Sequence, residues 1–386
     1  MSWSITPVID WLMHKGRHLP TREEVVGGIC ERARAAGMPI DRVAFFFWTL
    51  HPQYAGVALF WDGQKVTLNR GEHGFRNTEQ YLTSPAASIS RGERVIRRRL
   101  EDRDCALDFP VLRELREQGM TDYVIAEVLF SGGVRNSVSL TTRRPGGFLD
   151  HDIAEIQRLL HPFALIMENF NGRDLARTLL ETYLGRISGA KVLNGQIQRG
   201  DGQSIDAVIW FSDLRESTPL SVSLGEQRFL ELLNDYFAAT AGAVLEHGGE
   251  VLRFIGDASL AVFPTTEETS RDVCRRAVDA ARDARARVQA ANAKRRSDGL
   301  PVFACGIGLH LGRVHYGNIG TPERLEFSVI GAAANEAARI EALCKETGQD
   351  VVLSGAMAAG LGTPCRSLGK FALRGVAQPM EVYALP

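Results

Sequence analysis

Two aspartates stand at strand ends in the second half of the chain. Asp213 closes the apolar run AVIWFSD (207–213). Asp257 lies 44 residues further on, in the Gly256-Asp257 turn of a hairpin that runs from EVLRFI (250–255) into SLAVF (259–263). If that first strand and the hairpin are neighbours in one sheet, the two carboxylates converge. Paired carboxylates with open positions suit Mg²⁺, which takes oxygen ligands and keeps waters or substrate phosphates around it. Two such ions about 3.5–4 Å apart clamp the attacking and leaving oxygens of a phosphoryl transfer. The same spacing also fits two ordinary turn residues. After Asp213, LREST opens a helix whose first N–H groups favour a phosphate, with Ser217 or Thr218 as a plain N-cap on local grounds. In EFSVIGAAANEAARIEAL (326–343), Asn335 and Arg339 stand four residues apart on one helix and share a face. An amide and a guanidinium so placed can hold a ribose and a charged phosphoryl group, or simply face solvent.

These residues need a sheet to hold them. After the 207–213 strand, a helix at 225–246 carries Phe229, Leu232, Leu233, Tyr236, Phe237, Val244 and Leu245, and ends at Gly248-Gly249. The hairpin follows, then a long helix over 267–295. Strands are expected at 302–310, 314–319 and 325–330, a helix at 332–347, and strands at 350–353 and near 368–373 and 380–384. The order β-α-β-β-α-β resembles a ferredoxin-like palm.

The first half reads differently. TREEVVGGICERARAA (21–36) is an amphipathic helix with Thr21 as N-cap and Glu24 completing a capping box. Strands are expected at 43–50, 56–61, 123–130 and 135–143, and Asp152–Phe170 returns to helical spacing. RGERVIRRRLEDRD (91–104) has six arginines against four acids and reads as a solvated helix face. This order resembles the GAF fold, and TTRRPGGFLDHDIAEIQRL resembles the usual GAF exit into its last helix. The N-K-x-F-D-E motif of cyclic-nucleotide-binding GAF domains is absent. The half is expected to be a sensory or dimerisation domain over 1–148, able to take a small-molecule or protein regulator. A helical linker and transducer segment over 149–200 follows, with a break at Gly189.

Four segments occur in one order: FSDLREST, GGEVLRFIGDASLAVF, EFSVIGAAANEAAR and LGKFALRGVAQPMEVY. Together they resemble a class III adenylate/guanylate cyclase catalytic domain over 201–386, and TYLGRISGAKVLNGQIQRGDG resembles the transducer that precedes such domains. The resemblance implies a mixed α/β fold, with a palm-type catalytic domain behind a GAF-like sensor. It implies that Asp213 and Asp257 bind two Mg²⁺ or Mn²⁺ ions, that Asn335 orients the ribose, and that Arg339 stabilises charge on the transferred phosphoryl group. Arg374 falls where a basic residue meets the terminal phosphates. The ribose 3′-hydroxyl would attack the α-phosphate and pyrophosphate would leave. The metals and the arginine of each site would come from different chains, so a homodimer with two shared sites is implied.

The base-reading positions depart from the family pattern. The adenine-selecting lysine is replaced by Arg253 and its acidic or threonine partner by Ser328. Arg can donate to a ring nitrogen and Ser can accept from an exocyclic amine, so ATP is the expected substrate. A guanylate cyclase, or a degenerate nucleotide-binding module without turnover, is the alternative. G-D-x-V-N reads Gly331-Ala332-Ala333-Ala334-Asn335. A diguanylate cyclase is set aside, because Gly248-Gly249-Glu250 lacks the continuation that family carries.

Composition narrows the class further. Over 386 residues, 45 Lys and Arg against 46 Asp and Glu give a net charge of −1, which argues against a chain built to coat nucleic acid or anionic lipid. Six cysteines, none in a C-x-x-C pair, and histidines without ligand spacing predict reduced thiols and no zinc site. MSWSITPVIDWLMHKG lacks the basic region of a signal peptide and no apolar run reaches the ~18 residues of a membrane span. A cytoplasmic protein is expected.

Overall fold

The computed structural model describes residues 3–265, 270–376 and 378–385. The chain divides into two compact units, Met1–Leu179 and Leu180–Pro386.

The first unit contains α1 (Thr6–His14), α2 (Arg22–Ala35), β1 (Arg42–Trp48), β2 (Gly56–Trp61), β3 (Val66–Gly71), α3 (Glu79–Leu82) and α4 (Pro85–Arg91). It continues with β4 (Val95–Arg99), α5 (Pro110–Glu117), β5 (Asp122–Leu129), β6 (Arg135–Thr142) and α6 (Asp150–Leu184), whose last residues fall in the second unit. The strands form one antiparallel sheet in the order β3-β2-β1-β6-β5-β4. The N-cap half of the expected capping box is present: Thr21 Oγ1 accepts the Glu24 N–H at 3.3 Å. Alternation sends Val43, Phe45 and Phe47 of β1 to one face, where they pack with Val25, Ile29, Ile156 and Phe163 of α2 and α6. A cavity of about 20 Å³ in this core is lined by apolar side chains including Ile29, Phe45, Val138 and Phe163. It has room for about one water and no polar group to hold it.

The arginine run at 91–104 is not a helix face. Val95–Arg99 is an edge strand paired with β5. Ile96 and Leu100 are buried against Leu112, Leu115, Tyr123 and Ile125. Arg97 donates from Nη2 to the Asp122 carboxylate at 2.7 Å, and Asp122, fully buried, also accepts the Phe148 N–H at 2.9 Å. A buried carboxylate demands a cation, and that demand draws the basic run into the sheet.

The second unit begins with the end of α6 and α7 (Arg186–Leu193). Gly185, at φ +90°, separates the two helices, four residues before the expected break at Gly189. Then come β7 (Gly202–Leu214), α8 (Ser217–Leu224), α9 (Glu226–Glu246), β8 (Glu250–Ile255), β9 (Ala258–Thr265), α10 (Ser270–Ser297), β10 (Cys305–Gly320), β11 (Leu325–Ile330), α11 (Ala332–Thr347), β12 (Val351–Ser354), α12 (Gly355–Leu361), β13 (Ser367–Phe371) and β14 (Met380–Ala384). Residues 267–269, the expected start of the long helix, lie outside the described residues, as does Ala377 of ALRGVAQP.

The sheet runs β13-β14-β12-β10-β7-β9-β8, with β11 paired to β10. Its β10-β7-β9-β8 core has the strand order of the ferredoxin-like palm. Two differences from the expected strands have one cause. β7 starts earlier, at Gly202, and β10 is one strand where two were expected, because β7 pairs along β10 from Gly202↔Gly317 to Leu214↔Cys305. That long ladder carries the chain through Gly312 without a break. α9 and α10 cover one face around Val208, Trp210, Val244 and Phe263. α11 covers the other through Ala333 and Ala337, against Ile209, Tyr316 and Phe327.

Candidate active site

β7 and β9 are antiparallel neighbours, and Asp213 pairs with Ala258, the residue after Asp257. Register alone therefore brings the two carboxylates together. The hairpin turn requires Gly256 at φ +64°, a left-handed conformation that glycine adopts without strain. Burial raises the Asp213 carboxyl above its usual range. The Asp257 carboxylate beside it and a side-chain hydrogen bond between the two raise it further, while the Leu214 N–H and Arg215 pull the other way.

This donor set fits a hard divalent ion. Its side-chain ligands are all oxygen, and no group of three or more His, Cys, Asp or Glu gathers among the described residues. Water, main-chain oxygen or substrate phosphate would complete the shell.

α8 begins beside Asp213. Glu216, at φ +55°, occupies its cap position and makes no side-chain cap bond. Ser217 and Thr218, expected as N-caps, lie inside the helix instead, so no capping side chain covers the first N–H groups. Open donors at such an end favour an anion.

The two positions expected to read the base, Arg253 and Ser328, lie on β8 and β11. Arg253 Nε lies 3.1 Å from Glu326 Oε1. Ser328, two residues along the same face of β11, is buried, and its Oγ has no hydrogen-bond partner among the described residues. An orphaned hydroxyl is costly unless a ligand satisfies it.

On α11, Ala333, Ala337, Ile340 and Glu341 are buried, Asn335 is exposed and Arg339 is half-buried. No hydrogen bond or ion pair joins Asn335 or Arg339 to either aspartate among the described residues. Arg339 lies against the turn between β13 and β14: a Cβ on Gly375 would stand 3.5 Å from its Nη1. That turn also carries the exposed Arg374. The structure thus forms three groups: Asp213 with Asp257, Arg253 and Glu326 beside Ser328, and Arg339 beside the Arg374 turn. Sequence reasoning missed Glu326, whose signal is its place two residues before Ser328 on one strand. It also missed Arg215 and Glu341, which form an ion pair at 3.2 Å.

Residues 201–386 match the family model described as Adenylate and Guanylate cyclase catalytic domain. That match lies wholly within the second unit. Adenylate cyclase 1 of Rhizobium meliloti (strain 1021) is 30% identical over 168 residues, 44% of this chain and 24% of that protein. The adenylate cyclase of Anabaena cylindrica is 30% identical over 193 residues, 48% of this chain and 36% of its own length. An uncharacterized Mycobacterium tuberculosis protein is 32% identical over 241 residues, 61% of this chain and 41% of that protein. This chain thus spans less than half the length of these curated relatives. Among solved structures, the adenylyl cyclase CyaB from P. aeruginosa is 25% identical with a TM-score of 0.45, covering 48% of this chain and 95% of that one.

Proposed function

We propose that the protein is an adenylate cyclase that converts ATP to 3′,5′-cyclic AMP and pyrophosphate. The observation that carries this reading is the convergence of Asp213 and Asp257 at neighbouring strand ends of a cyclase domain. Mg²⁺ or Mn²⁺ held there, two ions per site, would make the ribose 3′-hydroxyl easier to deprotonate and offset charge at the α-phosphate. The chain supplies the rest. Asn335 holds the ribose in line for attack. Arg339 and Arg374 grip the phosphates, where fixed cations stabilise charge as it develops. Ser328 Oγ accepts from the adenine amine and Arg253 donates to a ring nitrogen.

Asn335 is exposed, and neither it nor Arg339 bonds to an aspartate among the described residues, which supports a homodimer whose sites are shared between chains. The exposed Phe254 and Ile255, next to Asp257, offer apolar surface for that interface. The first unit, with its own core and six-stranded sheet, is assigned as a GAF-like regulatory domain acting through residues 149–200. No helix among the described residues is long and apolar enough to cross a membrane, and a cytoplasmic enzyme is in keeping with this.

A guanylate cyclase is the second reading. Arg253 favours it, because an arginine fork matches guanine O6 and N7. Incubating the full chain with ATP or GTP and Mg²⁺ or Mn²⁺, and resolving cyclic nucleotide and pyrophosphate, decides between them. Cyclic AMP is expected from ATP. Cyclic GMP alone would transfer the assignment to the guanylate cyclase, and no product from any pairing would leave a nucleotide-binding module.

A further inference from the structure

Glu341 lies on the buried side of α11, and its side chain is 5% exposed. It turns away from Asn335 and Arg339 and toward the sheet. Its Oε1 is 3.2 Å from Nη2 of Arg215, the second residue after Asp213. Gly306 fixes where this pair sits. A Cβ there would stand 2.1 Å from Glu341 Oε1 and 2.2 Å from Arg215 Nη2. Gly306 is also the cross-strand partner of Asp213. Directly paired residues on antiparallel strands point to one face with Cβ positions about 4.5–5.5 Å apart. The ion pair therefore occupies the space next to the Asp213 carboxylate, on the same face. Any larger residue at 306 would fill that space.

Arg215 is a fixed cation within electrostatic range of Asp213 and draws its carboxyl toward the ionised form. A guanidinium free to swing onto Asp213 would form a bidentate pair and occupy the oxygens a metal needs. Glu341 gives it another partner.

We infer that Glu341 is a positioning residue of the metal site: by holding Arg215 it keeps that guanidinium off Asp213 and leaves the Asp213–Asp257 pair open to divalent cations. This rests on the cyclase reading of the two aspartates. It also assigns α11 a second task, since the helix that presents Asn335 and Arg339 on one side would tune the aspartates with the other.

The test is direct Mn²⁺ binding to the full-length protein, with free Mn²⁺ counted by electron paramagnetic resonance and no nucleotide added. Glu341→Gln keeps the side-chain volume and removes the charge. Burial already pushes the Glu341 carboxyl up to about 7, so the neutral amide suits the site, and a melting curve checks the fold. The Mn²⁺ dissociation constant is expected to rise about tenfold or more, the usual scale for losing a residue that supports a metal ligand. Arg215→Gln alone is expected to leave Mn²⁺ binding undiminished. Adding Arg215→Gln to Glu341→Gln is expected to restore it, because the competing cation is gone. A merely structural ion pair would weaken binding in both single variants and show no restoration, which overturns the inference. Unchanged affinity in Glu341→Gln overturns it as well. Failure of the underlying reading looks different: the wild-type protein would then show no Mn²⁺ binding that Asp257→Asn removes, and the inference would fall with it.

Discussion

The Asp213 carboxyl works against its own surroundings. Burial and Asp257 hold its pKa above the usual carboxylate value, so without metal its negative charge destabilises the fold. A carboxyl whose folded-state value is raised contributes stability below its unfolded value, near 3.8, and loses it as pH rises through the raised value. Glu341 acts in the same direction, from 4.5 to about 7, again through burial. In the metal-free protein these two groups therefore lower the melting temperature as pH climbs across that window, while the lowered values of His310 and His51 act the other way. The upper scale of the loss is roughly 1.4 kcal/mol for each tenfold gain in proton affinity on folding. Asp213→Asn and Glu341→Gln should each flatten the dependence, and Mg²⁺ should raise the melting temperature most at the upper end. Calorimetry of wild type and both variants from pH 4 to 8 checks this, and variants whose pH dependence matches that of the wild type would contradict it. Asp213→Asn should also lose about 100-fold or more of its turnover, the scale of removing one fixed electrostatic partner of a transition state. A cyclic AMP assay at saturating ATP reads that loss against an intact melting curve. The aspartates could be read from the sequence because register turns strand ends into neighbours. Glu326 could not, because its bond to Arg253 joins strands 73 residues apart in the chain and exists only once β11 lies beside β8. Ser217 failed as a cap because Glu216 takes a left-handed conformation that no local propensity for glutamate suggests.

Elements impose a different kind of constraint. Most of the palm was visible as alternation and helical spacing, since each strand has one face to bury. The arginine run of β4 was hidden because its charges satisfy a buried acid on another strand, and pattern reading assigns charge to solvent. β7 was read too short and β10 as two strands, because the polar start of β7 and the Gly312 stretch of β10 stay extended only through pairing with each other. α7 illustrates how a polar contact can fasten an element. Its Ser188 N–H donates to Glu250 Oε1 at 2.7 Å, the Tyr316 hydroxyl donates to Glu250 Oε2, and Ser188 Oγ lies 2.9 Å from that hydroxyl. Glu250 and Ser188 are fully buried, and Lys191 Nζ stands 4.2 Å from the Tyr316 ring centroid. Glu250→Ala leaves a buried hydroxyl and a buried N–H without their acceptor. It should destabilise this unit by about 2–3 kcal/mol, read from the denaturant midpoint. Glu250→Gln, which keeps an acceptor oxygen, should cost less. Equal losses in the two variants would show that the network contributes only packing. Because β8 carries both Glu250 and Arg253, α7 is tied to the strand that presents the proposed base-reading arginine.

The proposed homodimer assembles a site that one chain does not complete. Asp213 and Asp257 meet at the end of the sheet, whereas Asn335 and Arg339 occupy the outer side of α11 and bond to neither. Net charge, at −1, says nothing of this, because binding a polyphosphate depends on a few placed groups. If each site takes its aspartates from one protomer and its Asn335 and Arg339 from the other, two dead variants can repair one another. Asp257→Asn spoils the metal half and Arg339→Ala the phosphate half. In a mixed dimer, one site inherits both lesions and the other inherits neither. Equal amounts of the two variants, unfolded and refolded together or co-expressed, pair at random. Half the dimers are then mixed, and half the sites in those are whole. Activity should therefore return to about one quarter of wild type, while each variant alone stays near background. Size-exclusion chromatography with light scattering confirms the dimer. A mixture no more active than its parts would place all four residues in one chain's site, and the shared-site arrangement would then be wrong even if each chain makes cyclic AMP.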